Sequence, residues 1–227
     1  MIEHKSIVNL VYGQRKFLNI SPSSRVLQYA NYVFDASVWE IFNTLSFGAS
    51  CYIISERERK NVMLLSKFIN DHKINIGLLP PSLLNIIEHK DLLTFTTVVA
   101  GGESSTKKLI KSWDYSKSLI NAYGPTEITV CSNTYNYNQN SLNSNIGRPI
   151  NNTKCYILDT NLQPVIEGMT GQLCVAGVGL SRGYLNQPEL TKQRFIDNPF
   201  ATDEDFEKGY TRLYKTGDLA RWLPDRT

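Results

Sequence analysis

Between residues 25 and 123 the chain alternates. Apolar, β-prone runs at 25–30, 50–55, 74–79, 95–100 and 118–122 are separated by stretches with apolar residues at helical spacing. Residues 37–47 read as a helix with Val38, Ile41, Phe42 and Leu45 on one buried face, and 61–72 as another with Val62, Leu65, Phe68 and Ile69 inward. Residues 82–88 and 104–113 read as two more. Gly48, Pro80-Pro81 and Gly101-Gly102 fall where an element has to stop. Strands that alternate with helices cannot close as hairpins, so the pattern predicts an α/β fold: a largely parallel sheet with covering helices.

The pattern changes at the Ser- and Asn-rich run 141–145. Beyond it the helical period fades into short β runs at 154–159, 171–177, 212–215 and 219–223, several of them separated by Asn161, Pro164, Gly168 and Gly171. The expected division is an α/β part, 1–145, and a small, mostly antiparallel, barrel-like β-rich part, 146–227.

Composition excludes several classes. Of 227 residues 41% are hydrophobic and 20% charged, with a net charge of +3, so the chain reads as an ordinary globular one. Lys107, Lys108 and Lys111 fit a solvated helix face, and no nucleic-acid partner is expected. No apolar run is long enough to span a membrane, and the first five residues do not read as a signal peptide. Cys51, Cys131, Cys155 and Cys174 form no Cys-x-x-Cys pair. They are expected to be reduced and mostly buried, which fits a cytoplasmic protein without a zinc site.

The most chemical stretch is Asn121-Ala122-Tyr123-Gly124-Pro125-Thr126-Glu127. It follows a strand, and ligands of open α/β sheets bind outside the carboxyl ends of strands. A ring there can stack on a base, a Thr hydroxyl can meet phosphate, and a Glu can hold Mg²⁺. The same residues also suit an ordinary turn with a helix cap, and the heptapeptide alone leaves both readings open.

Four motifs in order then carry a resemblance that covers nearly the whole chain. They are Phe34-Asp35-Ala36-Ser37, the heptapeptide, the run from Gly171 to Tyr184, and Tyr214-Lys215-Thr216-Gly217-Asp218. Together they resemble the adenylation domains of nonribosomal peptide synthetases, within the adenylate-forming superfamily. Gln172 and Ser181 are mild departures from the third motif, whose glycines are expected to serve tight β geometry.

The resemblance implies roles. Asp35 would bind the α-ammonium of an amino acid, although by its own residue type and position it reads as a helix cap. The pocket would be lined by Asp35, Ala36, Trp39, Leu78, Val99, Gly101, Ala122, Val130 and Cys131. All but Asp35 are uncharged, which favours a bulky apolar amino acid such as Phe, Tyr or Leu. Gly101-Gly102 would pass beside adenine, with Asn121 on its edge and Tyr123 stacked on it. Thr126 would contact the α-phosphate, Glu127 would hold Mg²⁺, and Asp218 would accept both ribose hydroxyls.

The implied activity is ATP-dependent formation of aminoacyl-AMP, followed by transfer to phosphopantetheine on a peptidyl carrier domain, with condensation domains as further partners. The family's Gly/Ser/Thr-rich phosphate loop and its C-terminal subdomain, with a catalytic Lys, have no counterpart among these residues. The chain is therefore expected to be a central part of such a domain, inactive alone. Three rivals stand beside this reading. An acyl-CoA or aryl-acid ligase of the same superfamily is disfavoured by Asp35. A non-catalytic remnant would bind only nucleotide or protein. A Rossmann oxidoreductase is disfavoured by the spacing of Gly177, Gly179 and Gly183.

Overall fold

The structure is a computed structural model that describes residues 1–227, apart from the side chains of Lys16 and His89. It divides into two compact units. An α/β unit holds Gln14–Tyr123 and Thr134–Gly147; a β-rich unit holds Met1–Gly13, Gly124–Asn133 and Arg148–Thr227. Helix α1 (His4–Leu18) contributes residues to both.

In the α/β unit the order is β1 (Arg25–Gln28), α2 (Asp35–Leu45), β2 (Ser50–Ile53), α3 (Glu56–Arg59), α4 (Val62–Asp71), β3 (Ile76–Leu79), α5 (Pro81–Leu84), β4 (Thr97–Gly101), α6 (Lys107–Ser112), β5 (Ser118–Tyr123) and β6 (Asn133–Asn136). The strands lie in the order β2-β1-β3-β4-β5-β6, and the first five are parallel. Starting at β1, the chain steps one way to β2, then returns past β1 to β3 and continues the other way. That reversal between β1 and β3 is the topological switch point of a doubly wound sheet.

Right-handed crossovers then fix which face each helix covers. Leu27, Leu79, Val98, Ala100 and Leu119 share one face and form the main core with Leu65 and Ile69 of α4, Leu84 of α5, and Leu109 and Ile110 of α6. Asn61 caps α4 through Leu64 N, and Thr106 caps α6 through Leu109 N at 3.0 Å. Helix α2 lies on the other face, where its Thr44 bonds the Cys51 thiol and its Glu40 bonds Gln28.

Helix α2 departs from its amphipathic reading. Its buried residues are Ser37, Trp39, Glu40, Asn43 and Thr44, whereas Phe42 and Leu45 are 42% and 62% exposed. Most of these polar groups go inside with partners, although Asn43 Oδ1 finds none among the described residues. Trp39 Nε1 donates to Gln14 Oε1, Asn43 Nδ2 to the Trp39 carbonyl, and Glu40 takes four hydrogen bonds described below.

The β-rich unit continues with β7 (Arg148–Pro149), β8 (Thr153–Leu158), β9 (Gly171–Gly177), α7 (Pro188–Arg194), β10 (Phe195–Asp197), α8 (Asp203–Lys208) and β11 (Arg212–Ala220). Strands β10-β11-β9-β8 form an antiparallel sheet, as the sequence implied. Leu158, Cys174, Ala176 and Leu213 centre its core. The runs 212–215 and 219–223 expected as two strands begin within one strand, β11, whose register shifts between Lys215 and Leu219. Among the described residues no helix is long and apolar enough to cross a membrane, and all four cysteines are free.

Candidate active site

Strand register assembles the first half of the site. Leu78 pairs with Val99, Val99 with Ile120, and Gly101 with Ala122. Side chains two apart on a strand share a face, so Leu78, Val99, Gly101 and Ala122 all point to the face that carries α2, at the carboxyl ends of β3, β4 and β5. Leu78 and Val99 are buried and Ala122 is half-buried. Asp35, Ala36 and Trp39 stand on the first turns of α2, directly after the loop that leaves β1. The α/β unit thus brings seven of the nine expected pocket residues to one face beside the switch point.

Asp35 is not the cap of α2. Phe34 holds the N-cap position with no side-chain hydrogen bond, and Asp35 is the first helical residue, half-buried. Its carboxylate therefore sits where a helix favours negative charge. Asn121 points to the opposite face of the sheet from Ala122, is buried, and donates from Nδ2 to the Asn145 carbonyl at 2.8 Å. Gly102 is exposed at φ +84°, at the mouth of the β4 turn. Tyr123, half-buried, ends β5 and the first of this unit's two segments.

A carboxylate that sequence reasoning passed over governs the loop before Asp35. Glu40 is fully buried. Its Oε1 accepts from Tyr29 N at 3.0 Å and Ala30 N at 3.1 Å, and its Oε2 from Ala30 N and Gln28 Nε2 at 3.1 Å each. Burial outweighs these bonds and pushes its carboxyl up to about 7. The sequence signal was present in Trp39-Glu40-Ile41, a charge between apolar residues in the middle of the helix.

Thr126, Glu127, Val130, Cys131 and Asp218 belong to the β-rich unit. After Pro125, Thr126–Ile128 forms a single 3-10 turn, and Thr129 and Val130 then adopt left-handed backbone at φ 66° and 65°. β-branched residues rarely do so. The turn is closed by Cys131 N to the Thr129 carbonyl at 2.8 Å and anchored by Thr129 Oγ1 to the Gly179 carbonyl at 2.7 Å. Thr126 is exposed; Glu127 is half-buried and accepts from Tyr184 Oη at 2.5 Å. Cys131 is buried. Asp218 is exposed on the irregular stretch of β11, where Thr216 Oγ1 receives Asp218 N at 3.0 Å and itself donates to the Leu173 carbonyl.

Comparison with known proteins decides the family. The model for AMP-binding enzymes matches residues 1–185, most of the chain. The chain belongs to this family. This AMP-binding enzyme is 42% identical over 225 residues to bacitracin synthase 3 of Bacillus licheniformis, covering 99% of the chain and 3% of that protein. It is 41% identical over 227 residues to gramicidin S synthase 1 of Brevibacillus brevis, covering 99% and 20%. Among solved structures, holo-PA1221, an NRPS protein containing adenylation and PCP domains, aligns with a TM-score of 0.89 at 26% identity, over 99% of this chain and 40% of that one. The resemblance to adenylation domains therefore holds along the AMP-binding chain, which spans a fifth or less of these two curated relatives.

Proposed function

We propose that this chain carries the amino-acid and nucleotide contacts of an adenylate-forming ligase that activates a bulky apolar amino acid. The observation that carries the reading is the shared face of Leu78, Val99, Gly101 and Ala122 beside α2. It supports an apolar cleft at the switch point, with one carboxylate, Asp35, at the start of the helix that flanks it.

In this reading Asp35 takes the substrate α-ammonium, and Trp39, Leu78 and Val99 surround the side chain. Gly101 and Ala122 leave depth for Phe, Tyr or Leu. Gly102, Asn121 and Tyr123 hold adenine, and Asp218 holds the ribose. The substrate carboxylate oxygen attacks the α-phosphorus of ATP; the bond from that phosphorus to the pyrophosphate oxygen breaks, giving aminoacyl-AMP and pyrophosphate. Thr126 holds an α-phosphate oxygen. What these residues contribute is placement and charge complementarity rather than a covalent intermediate. The acyl group would then pass to the phosphopantetheine thiol of a carrier domain, releasing AMP.

Glu127 fits Mg²⁺. It offers a hard carboxylate oxygen besides the one engaged by Tyr184, and Mg²⁺ characteristically takes one or two carboxylates and completes its shell with phosphate and water. No cluster of three or more His, Cys, Asp or Glu among the described residues offers a protein-only cage instead. The ion would neutralise charge on the phosphate oxygens.

Binding of non-hydrolysable aminoacyl-adenylate analogues to the chain tests the reading. Phe, Tyr or Leu analogues should bind roughly tenfold to hundredfold tighter than the Gly analogue, since burying a large apolar side chain is worth about 1.5–3 kcal/mol. A preference for Lys, Asp or Gly would overturn it.

A further inference from the structure

The glycines of the run from Gly177 to Tyr184 are expected to serve tight β geometry, and the run is also stitched to the Glu127 turn at four points. Ser181 N donates to the Glu127 carbonyl at 2.8 Å. Thr129 Oγ1 donates to the Gly179 carbonyl, and a Cβ at Gly179 would meet the Ile128 carbonyl oxygen at 2.7 Å, so only glycine permits this approach. The fourth point is the Tyr184 hydroxyl on Glu127 Oε1, at 2.5 Å.

Tyr184 is itself held from three sides. Its amide donates to Thr191 Oγ1 of α7 at 2.9 Å. Its ring meets Phe195 edge-on at 5.7 Å between centroids, and Phe195 packs in turn on Tyr214, its register partner across β10 and β11, at 4.9 Å. The Tyr214 hydroxyl stands 3.4 Å from that of Tyr184. A phenol that donates to Glu127 has its oxygen free to accept from Tyr214, and Tyr214 also hydrogen-bonds the Glu127 carboxylate itself, so both phenols restrain that carboxylate.

We propose that Tyr184, backed by Tyr214, is a positioning residue for the cation site: it fixes one oxygen of Glu127 and leaves the other presented to Mg²⁺. The inference rests on the reading of Glu127 as the metal ligand. A single carboxylate that must meet a small ion in near-ideal octahedral geometry gains from a restrained rotamer, and hydrogen bonds behind metal ligands commonly set affinity.

The test is the ratio of ATP affinities of the 227-residue chain in saturating Mg²⁺ and in EDTA, for the natural sequence, Tyr184→Phe, Tyr214→Phe and Glu127→Gln, each with a thermal melt. Tyr184→Phe should cut the ratio about tenfold and Tyr214→Phe by less. A merely structural tyrosine would lower the melting temperature and weaken both arms alike, leaving the ratio intact; that result overturns the proposal. A natural-sequence ratio near one, or a ratio that Glu127→Gln leaves unchanged, removes Glu127 as the cation ligand and the proposal with it. A ratio abolished by Glu127→Gln but kept in Tyr184→Phe overturns the role of Tyr184 alone.

Discussion

The Glu40 carboxylate grips the backbone amide of Ala30 with both its oxygens, at 3.1 Å each. With Tyr29 N and Gln28 it pins the start of the loop that leads from β1 to Asp35. Burial raises its carboxyl from 4.5 to about 7, so the folded chain keeps a proton that the unfolded chain has released. Stability from this group is full below about pH 4.5 and lost as pH rises towards 7, by about 3 kcal/mol over that window. Glu40→Gln mimics the protonated form and should flatten the slope. Urea unfolding at pH 5 and pH 7 reads it; parallel pH dependences for the two proteins would contradict it.

An opposite limb is expected in acid. Lys154, bonded to both carboxylate oxygens of Asp205, and Thr202 N hold that carboxyl down to about 2. A depressed acid stabilises above its ordinary value of 3.8 and loses that contribution as pH falls towards 2. Asp205→Asn should therefore weaken the chain at pH 6 more than at pH 2.5. Equal losses at both would assign the effect to the α8 cap instead of the ion pair.

Gly124 should tolerate no side chain. A Cβ there would lie 2.4 Å from Cys131 Cα, a side-chain atom against backbone, so Gly124→Ala must displace the turn that carries Glu127. A Cβ at Gly102 meets nothing within 4 Å, and only its φ of +84° resists substitution. Gly124→Ala is expected to lower stability by more than about 3 kcal/mol and Gly102→Ala by about 1 kcal/mol. Comparable melting temperatures for the two variants would contradict this.

The alternation of runs made the parallel sheet legible, because the central strands β3 and β4 are buried along their whole length and the others carry an apolar stretch. Once register is known, the expected pocket positions on β3, β4 and β5 fall on one face, an ordering no single run discloses. Helix α2 misled: hydrophobic spacing put Phe42 and Leu45 inside, but Glu40, Asn43 and Thr44 are the residues with partners waiting for them. Helix α1 was missed although Leu10, Val11, Gln14 and Leu18 form a buried stripe, because the intervening polar residues dilute it. The turn signal of Thr216-Gly217-Asp218 looked like a strand break; it is an irregularity within β11.

Pocket depth gives the next prediction. Gly101 and Ala122 pair across β4 and β5 on the α2 face. Ala122→Leu or Gly101→Leu should shift adenylate-analogue binding towards smaller side chains, lowering the Phe-to-Ala affinity ratio about tenfold or more, as an apolar side chain of that size is displaced. An unchanged ratio would mean that these residues do not line the pocket.

Recognition of the amine is the centre of the account. The most direct measurement compares binding of a phenylalanyl-adenylate analogue with its des-amino counterpart, to the natural chain and to Asp35→Ala. A hydrogen bond to a charged group is worth about 1.5–3 kcal/mol. Asp35→Ala should accordingly weaken the amino analogue roughly tenfold to hundredfold while leaving the des-amino analogue within about twofold. Equal losses for both analogues would contradict the account and reduce Asp35 to a residue that only starts a helix.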